Sequence, residues 1–190
     1  MRPRVGSLGR RVAVVAIIAL AATVPASTGA VRADQDGARV LLRNAGGQPV
    51  GTVRLAQEDG AVLVRAGVHD LTPGFHGFHV HAVGQCVPPF TSAGGHYNPG
   101  GSGHGAHAGD MPSLLVGADG TGELRFKTDR FTVAELFDAD GSAIIVHANP
   151  DNFANIPPRY YSTTEATYGP DSVTLATGDA GGRVACGVVR

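Results

Sequence analysis

The stretch "GFHGFHVHAVGQC", Gly74 to Cys86, sets three of the chain's eight histidines within six positions. Side chains on a strand alternate between faces, so His79 and His81 point the same way while Val80 points into the opposite layer. Two imidazoles on one strand face, about 6 to 7 Å apart along the chain, can grip a single metal ion. A solvated pair of strand histidines is the other reading of "HVH" taken alone. His76, an odd number of residues before His79, faces away if the strand reaches that far.

A second group is denser. His96, His104, His107 and Asp110 fall within the 15 residues "HYNPGGSGHGAHAGD". Three nitrogen donors and one carboxylate complement a closed tetrahedral zinc site. A floppy loop that binds metals loosely is the alternative. The segment has almost nothing to bury, and ligation would supply its order. His147, at the end of the apolar run "SAIIVH", is a further ligand candidate.

Placing such residues takes a frame, and the pattern after residue 33 is that of short strands. Runs rich in Val, Ile, Leu, Thr and Phe alternate with Gly, Pro, Asn and Asp, with no helical period of useful length. The candidate strands are Arg39 to Asn44, Val50 to Gln57, Ala61 to Val68, Gly77 to Ala82, Ser113 to Gly117, Gly122 to Thr128, Ala143 to Ala148 and Arg183 to Val189. Eight short strands around one core predict an all-β fold, an antiparallel barrel or sandwich. Asp59-Gly60 and Asp119-Gly120 read as hairpin turns, and Asp140-Gly141 as a further turn before the seventh strand. Two long loops, Val87 to Pro112 and Asn149 to Gly182, exceed what a compact domain needs for connection and are expected to carry function or to be disordered.

Residues 1–33 differ from the rest. "MRPRVGSLGRR" holds four arginines and no acid, and Val12 to Val24 is apolar apart from Thr23. A basic start, an apolar run of about a dozen residues and small residues after it describe a secretory signal peptide. The run is short for a membrane span, which needs about 20 residues. Ala26, Ala30 and Ala33 are candidate cleavage points, with Ala33 preferred. The domain reading is therefore a signal peptide over 1–33 and one domain over 34–190, exported to the outside, a periplasm or the cell envelope, with no stable membrane span after processing.

Removing residues 1–33 takes away five arginines and no acid, which leaves ten basic against sixteen acidic side chains, a formal charge of −6. That balance argues against a general nucleic-acid binder. In an oxidising setting Cys86 and Cys186 are expected to pair. The closed loop of 100 positions would contribute on the order of 4 to 5 kcal/mol in the chain-entropy account.

The segments "GFHVHAVGQC", "SAGGHYNP" with a histidine eight positions beyond His96, "HAGD", "GSAIIVHA" and "GDAGGRVACGVV" resemble, in order and spacing, the copper/zinc superoxide dismutases, and their bacterial exported branch in particular. The resemblance covers roughly residues 38 to 189 and implies an eight-stranded Greek-key barrel. It implies copper on His79, His81, His96 and His147, and zinc on His96, His104, His107 and Asp110, with His96 shared between the two. Asp151 resembles the family's carboxylate that bonds one ligand of each metal. Arg183, three residues before Cys186, matches the active-site arginine, which offers fixed charge and donors to a small anion. Arg183 and His96 would carry the catalytic roles, Cys86 and Cys186 the disulfide, and superoxide would be the substrate. His69 and His76 are left without a role. An exported copper- and zinc-binding buffer with little turnover is the competing expectation. The oligomeric state stays open, since dimers in the family use different faces in different branches.

Overall fold

The computed structural model describes Met1 and residues 37–190. The segment read as a signal peptide lies, Met1 aside, outside the described residues. Eleven strands occur among the described residues: β1 (Gly37–Asn44), β2 (Pro49–Glu58), β3 (Ala61–Val68), β4 (Gly74–His76), β5 (Phe78–His81), β6 (Leu114–Val116), β7 (Gly122–Thr128), β8 (Ala143–His147), β9 (Tyr161–Ser162), β10 (Thr167–Tyr168) and β11 (Arg183–Val188). One short helix, α1 (Ser172–Thr177), lies between β10 and β11.

Seven strands form one antiparallel sheet in the order β5-β8-β11-β1-β2-β3-β7. The edges of that sheet do not end free. β4 and β5 are one extended run interrupted at Gly77, and β4 pairs with β6, Gly74 opposite Val116 and His76 opposite Leu114. β6 in turn reaches β7 through a tight turn in which Gly117 N–H donates to Thr121 O at 2.7 Å. One edge is thereby joined to the other, and the sheet closes into a barrel, the arrangement that removes exposed edges. Taken as one strand, β4–β5 brings the barrel wall to the eight strands expected.

The core follows from the period-two pattern. On β1, Ala38, Val40 and Leu42 are buried while Arg39, Leu41 and Arg43 face solvent. Val53, Leu55, Val62, Val64, Phe78, Val80, Leu114, Val116, Ile144 and Val146 meet them inside. β8 is buried along its whole length because its outer side is covered too. There Ala143 and Ile145 pack beneath Phe90, Ala93 and the Cys86–Cys186 bond in a second apolar cluster.

Two details differ from the sequence expectation. The fourth strand breaks at Gly77, where a side chain would stand 2.8 Å from the Ala180 side chain. The loop over residues 149–182 also holds structure of its own: the β9–β10 hairpin, and α1, whose N-cap Asp171 accepts from Thr174 N–H at 3.0 Å. Capping and the left-handed Gly178 (φ 60°) bound that helix at its two ends.

Candidate metal centre

The site lies on the outside of the barrel wall, where β5 and β8 pair with His79 opposite Ile145 and His81 opposite Ala143. Phe78 and Val80 go inward to the core, so the two histidines go outward. His147 follows Ala143 and Ile145 on the same side of β8. The loop carrying the second group is laid against β5 by paired contacts of His79 with Asp110 and of His81 with His96. All seven residues are buried, each 8% exposed or less.

Two sets of ligand atoms result, each with its members within 4.8 Å of one another: His79, His81, His96 and His147 in one, and His96, His104, His107 and Asp110 in the other. The bonds to the remaining ring nitrogens settle which atoms are free to ligate. His81 Nδ1–H donates to Gly94 O at 2.9 Å, and His147 Nδ1–H to Gly181 O at 3.2 Å. Their Nε2 atoms then carry lone pairs, and these face each other at 3.4 Å with no proton between. Two lone pairs so placed repel unless a cation stands between them.

The second set has the same character. His107 Nδ1 lies 3.4 Å from His96 Nδ1 and 3.3 Å from Asp110 Oδ1, and His104 Nδ1 lies 3.5 Å from Asp110 Oδ2. Ligands about 2.0 to 2.1 Å from a tetrahedral zinc stand roughly 3.3 Å from one another. His79 Nδ1, His96 Nε2 and His104 Nδ1 are buried with no hydrogen-bond partner. Such orphans normally cost free energy, and a metal ion is the partner that removes the cost. The donor set thus fits one ion in each pocket, nitrogen-only in the first and nitrogen with one carboxylate in the second.

His96 belongs to both sets. Its Nδ1 lies toward the second pocket, 2.8 Å from Asp110 Oδ1, and its Nε2 is open on the first. Asp151 joins them from behind: Oδ2 accepts from His79 Nε2–H at 2.7 Å and Oδ1 from His104 Nε2–H at 2.8 Å. Gly178 makes room for that carboxylate. A Cβ there would lie 1.8 Å from Asp151 Oδ1 and 2.5 Å from His104 Nε2.

Arg183 stands opposite His147 across the β8–β11 pair. Its guanidinium donates to Phe90 O and, at 2.6 Å, to Gly94 O, the same carbonyl that orients His81. His76 has a place after all. It is buried, with Nδ1 2.6 Å from His147 O and Nε2 2.8 Å from Thr72 O, so it props the backbone of His147 from beneath. Nothing in the histidine spacing marks that role, because both partners are carbonyls distant in sequence or in an unpatterned turn. His69 is exposed against Asp70 and takes no part.

Burial pushes the His79 ring down to about 4 despite its hydrogen bond to Asp151. Burial, with repulsion from His79, pushes His147 to about 3 and, with repulsion from His96, takes His81 well below the usual imidazole value. The rings are neutral near pH 7, the state that binds metal. Burial also works against charge on Asp151 and Asp110, but hydrogen bonds from His104 and His79, and from His96, outweigh it and hold both carboxyls below their usual value.

These shifts give a sign. Between about pH 6.5 and about 3 the unfolded chain binds protons at His79, His81 and His147 that the fold refuses, so the metal-free fold loses stability as pH falls through that window. The two carboxylates add to the loss below their ordinary values. His104, which burial lowers but Asp151 and Asp110 raise further, acts in the opposite sense: its contribution is complete below the usual imidazole value and fades as pH rises through its raised one. His107, which burial also lowers, makes four rings against one, and the thermal midpoint of the metal-free protein is predicted to fall by several degrees between pH 7 and pH 4, read by circular dichroism. A flat profile would contradict neutral rings at His79, His81 and His147.

Residues 50–189 match the family described as copper/zinc superoxide dismutase (SODC). The chain is 50% identical over 139 residues to the protein named Cu-Zn superoxide dismutase of Mycobacterium tuberculosis, an alignment that covers 67% of this chain and 58% of that one. It is 37% identical over 160 residues to Cu-Zn superoxide dismutase 2 of Brassica juncea, with 80% and 97% covered. Among solved structures, the Cu/Zn superoxide dismutase from Brucella abortus superposes with a TM-score of 0.63 at 29% identity, over 81% of this chain and 99% of that one. The chain spans less than two thirds of the length of its mycobacterial relatives.

Proposed function

Because this chain belongs to the copper/zinc superoxide dismutase family, we propose that it dismutes superoxide to dioxygen and hydrogen peroxide. Copper would be held by His79, His81, His96 and His147, and zinc by His96, His104, His107 and Asp110. Bound there, copper would supply the one-electron redox chemistry. Zinc supplies fixed charge and order. What remains is done by the chain.

The observation that carries the reading is His96, the one ring that belongs to both ligand groups, with Nδ1 beside Asp110 on one pocket and an unpartnered Nε2 on the other. Nε2 is the atom at which a proton is taken up and handed on, while Nδ1 stays anchored beside Asp110. Asp151 holds His79 and His104 in a single tautomer, which fixes the direction of their lone pairs. Arg183, clamped by two carbonyls, keeps its remaining N–H groups for a small anion beside His147. The formal charge of −6 on residues 34–190 repels an anion at long range, but over about 8 Å salt screens that field, and Arg183 decides the final approach.

Residues 1–33 are read as a signal peptide and 34–190 as the exported domain. The Cys86–Cys186 bond supports an oxidising location. Among the described residues no helix is long and apolar enough to cross a membrane.

The test is superoxide consumption by protein carrying one copper and one zinc per chain. Turnover is expected, with Arg183→Ala lowering the rate about tenfold or more while keeping both metals. A fully loaded protein without turnover would be a metal buffer. Loss of copper in Arg183→Ala would make that residue structural.

A further inference from the structure

On the wall of the barrel formed by β11, β1, β2, β3 and β7, arginines stand directly opposite one another. Arg39 pairs with Arg54, Arg54 with Arg65, and Arg65 with Arg125. Arg190 extends the row past β11, exchanging backbone hydrogen bonds with Arg39 at 2.7 and 3.1 Å. Directly opposed residues share a face, and all five are exposed. At about 4.8 Å between strands the row runs roughly 19 Å around the barrel.

Half of the ten basic side chains of residues 34–190 are in this one row. Arg43 and Lys127 flank it. Among the described residues none of the five guanidinium groups has a carboxylate in ion-pair range. Of the nearby acids, Glu58 is paired with Lys127, and Glu123 lies diagonal to Arg65 across the β3–β7 pair. Like charges directly opposite on a sheet repel, so the row is uncompensated positive charge on a protein of net negative charge. A groove of about 670 Å³ opens beside it, bordered by Arg39, Arg43, Arg54 and Arg190 and reaching Cys186.

We propose that this wall is a docking track for a linear acidic polysaccharide, a flexible chain with a carboxylate on successive sugars. The planar guanidinium fork matches a carboxylate with two parallel hydrogen bonds, and a row at strand spacing offers one fork after another. The row crosses five neighbouring strands of a closed barrel, so a flat lipid surface meets only one or two of its members, whereas a flexible polymer follows the curve. Single-stranded nucleic acid would need aromatic platforms for its bases, and the exposed aromatic rings, Phe75, Phe137, Phe153, Tyr160, Tyr161 and Tyr168, all lie off these strands. A second copy related by a two-fold axis would set the arginines against themselves.

The experiment is isothermal titration of the metal-loaded protein with polygalacturonate at low salt. Binding is expected, weakening steeply as salt rises. Arg54→Ser with Arg65→Ser should weaken it about tenfold or more, while Arg54→Lys with Arg65→Lys retains part of it. The melting temperature of the serine variant stays level or rises, because repulsion is relieved, which shows that the fold is intact. Equal binding by the serine variant and the parent would overturn the proposal. So would tighter binding to anionic phospholipid vesicles or to a single-stranded oligonucleotide, or self-association at this wall without polymer binding.

Discussion

Replacing His147 with alanine is expected to remove nearly all of the proposed superoxide turnover and most of the copper affinity, while zinc stays bound. The ring sits at the end of β8, 2% exposed, with its Nε2 3.4 Å from His81 Nε2. It is one of four nitrogen donors and belongs to the first pocket alone. Mutating residues that merely support a ligand already costs 10- to 100-fold in affinity or activity, on the order of 1.4 to 2.8 kcal/mol, and the loss of a ligand itself is expected to exceed that. Metal analysis beside a superoxide-consumption assay reads both quantities. A variant that keeps its copper and its rate would remove His147 from the centre.

Breaking the Cys86–Cys186 bond is the second large effect. The bond closes a loop of 100 positions, and its removal by Cys86→Ser with Cys186→Ser is expected to cost about 4 to 5 kcal/mol. Against a total of roughly 5 to 15 kcal/mol for an ordinary domain, that is a large share. Activity falls with it, because the tethered loop supplies the Phe90 and Gly94 carbonyls that hold Arg183. Chemical denaturation of the oxidised protein and the serine variant measures the difference, and coincident midpoints would mean that the bond contributes nothing.

Most of the frame was legible in the chain because strands with one wet face must alternate, as Val40, Leu42, Val53 and Leu55 do against Arg39, Arg43 and Arg54. The break at Gly77 was not, since the space a side chain would need there is taken by Ala180 of a distant loop, which a Cβ at Gly77 would meet at 2.8 Å. α1 escaped notice because it is six residues long, buries only Thr174 and depends on a local cap. In the site, histidine spacing together with the family resemblance named the seven residues that come together. It said nothing of His76, whose partners are main-chain oxygens, or of the arginine row, whose members look scattered until strand register sets them side by side.

Asp151 holds a ring from either pocket with its two oxygens, 2.7 and 2.8 Å away. Whichever ion arrives first stiffens that shared lever, and the second then finds a socket already set. Metal uptake is therefore expected to be cooperative, with loss of one ion loosening the grip on its neighbour through Asp151 as well as through the shared His96.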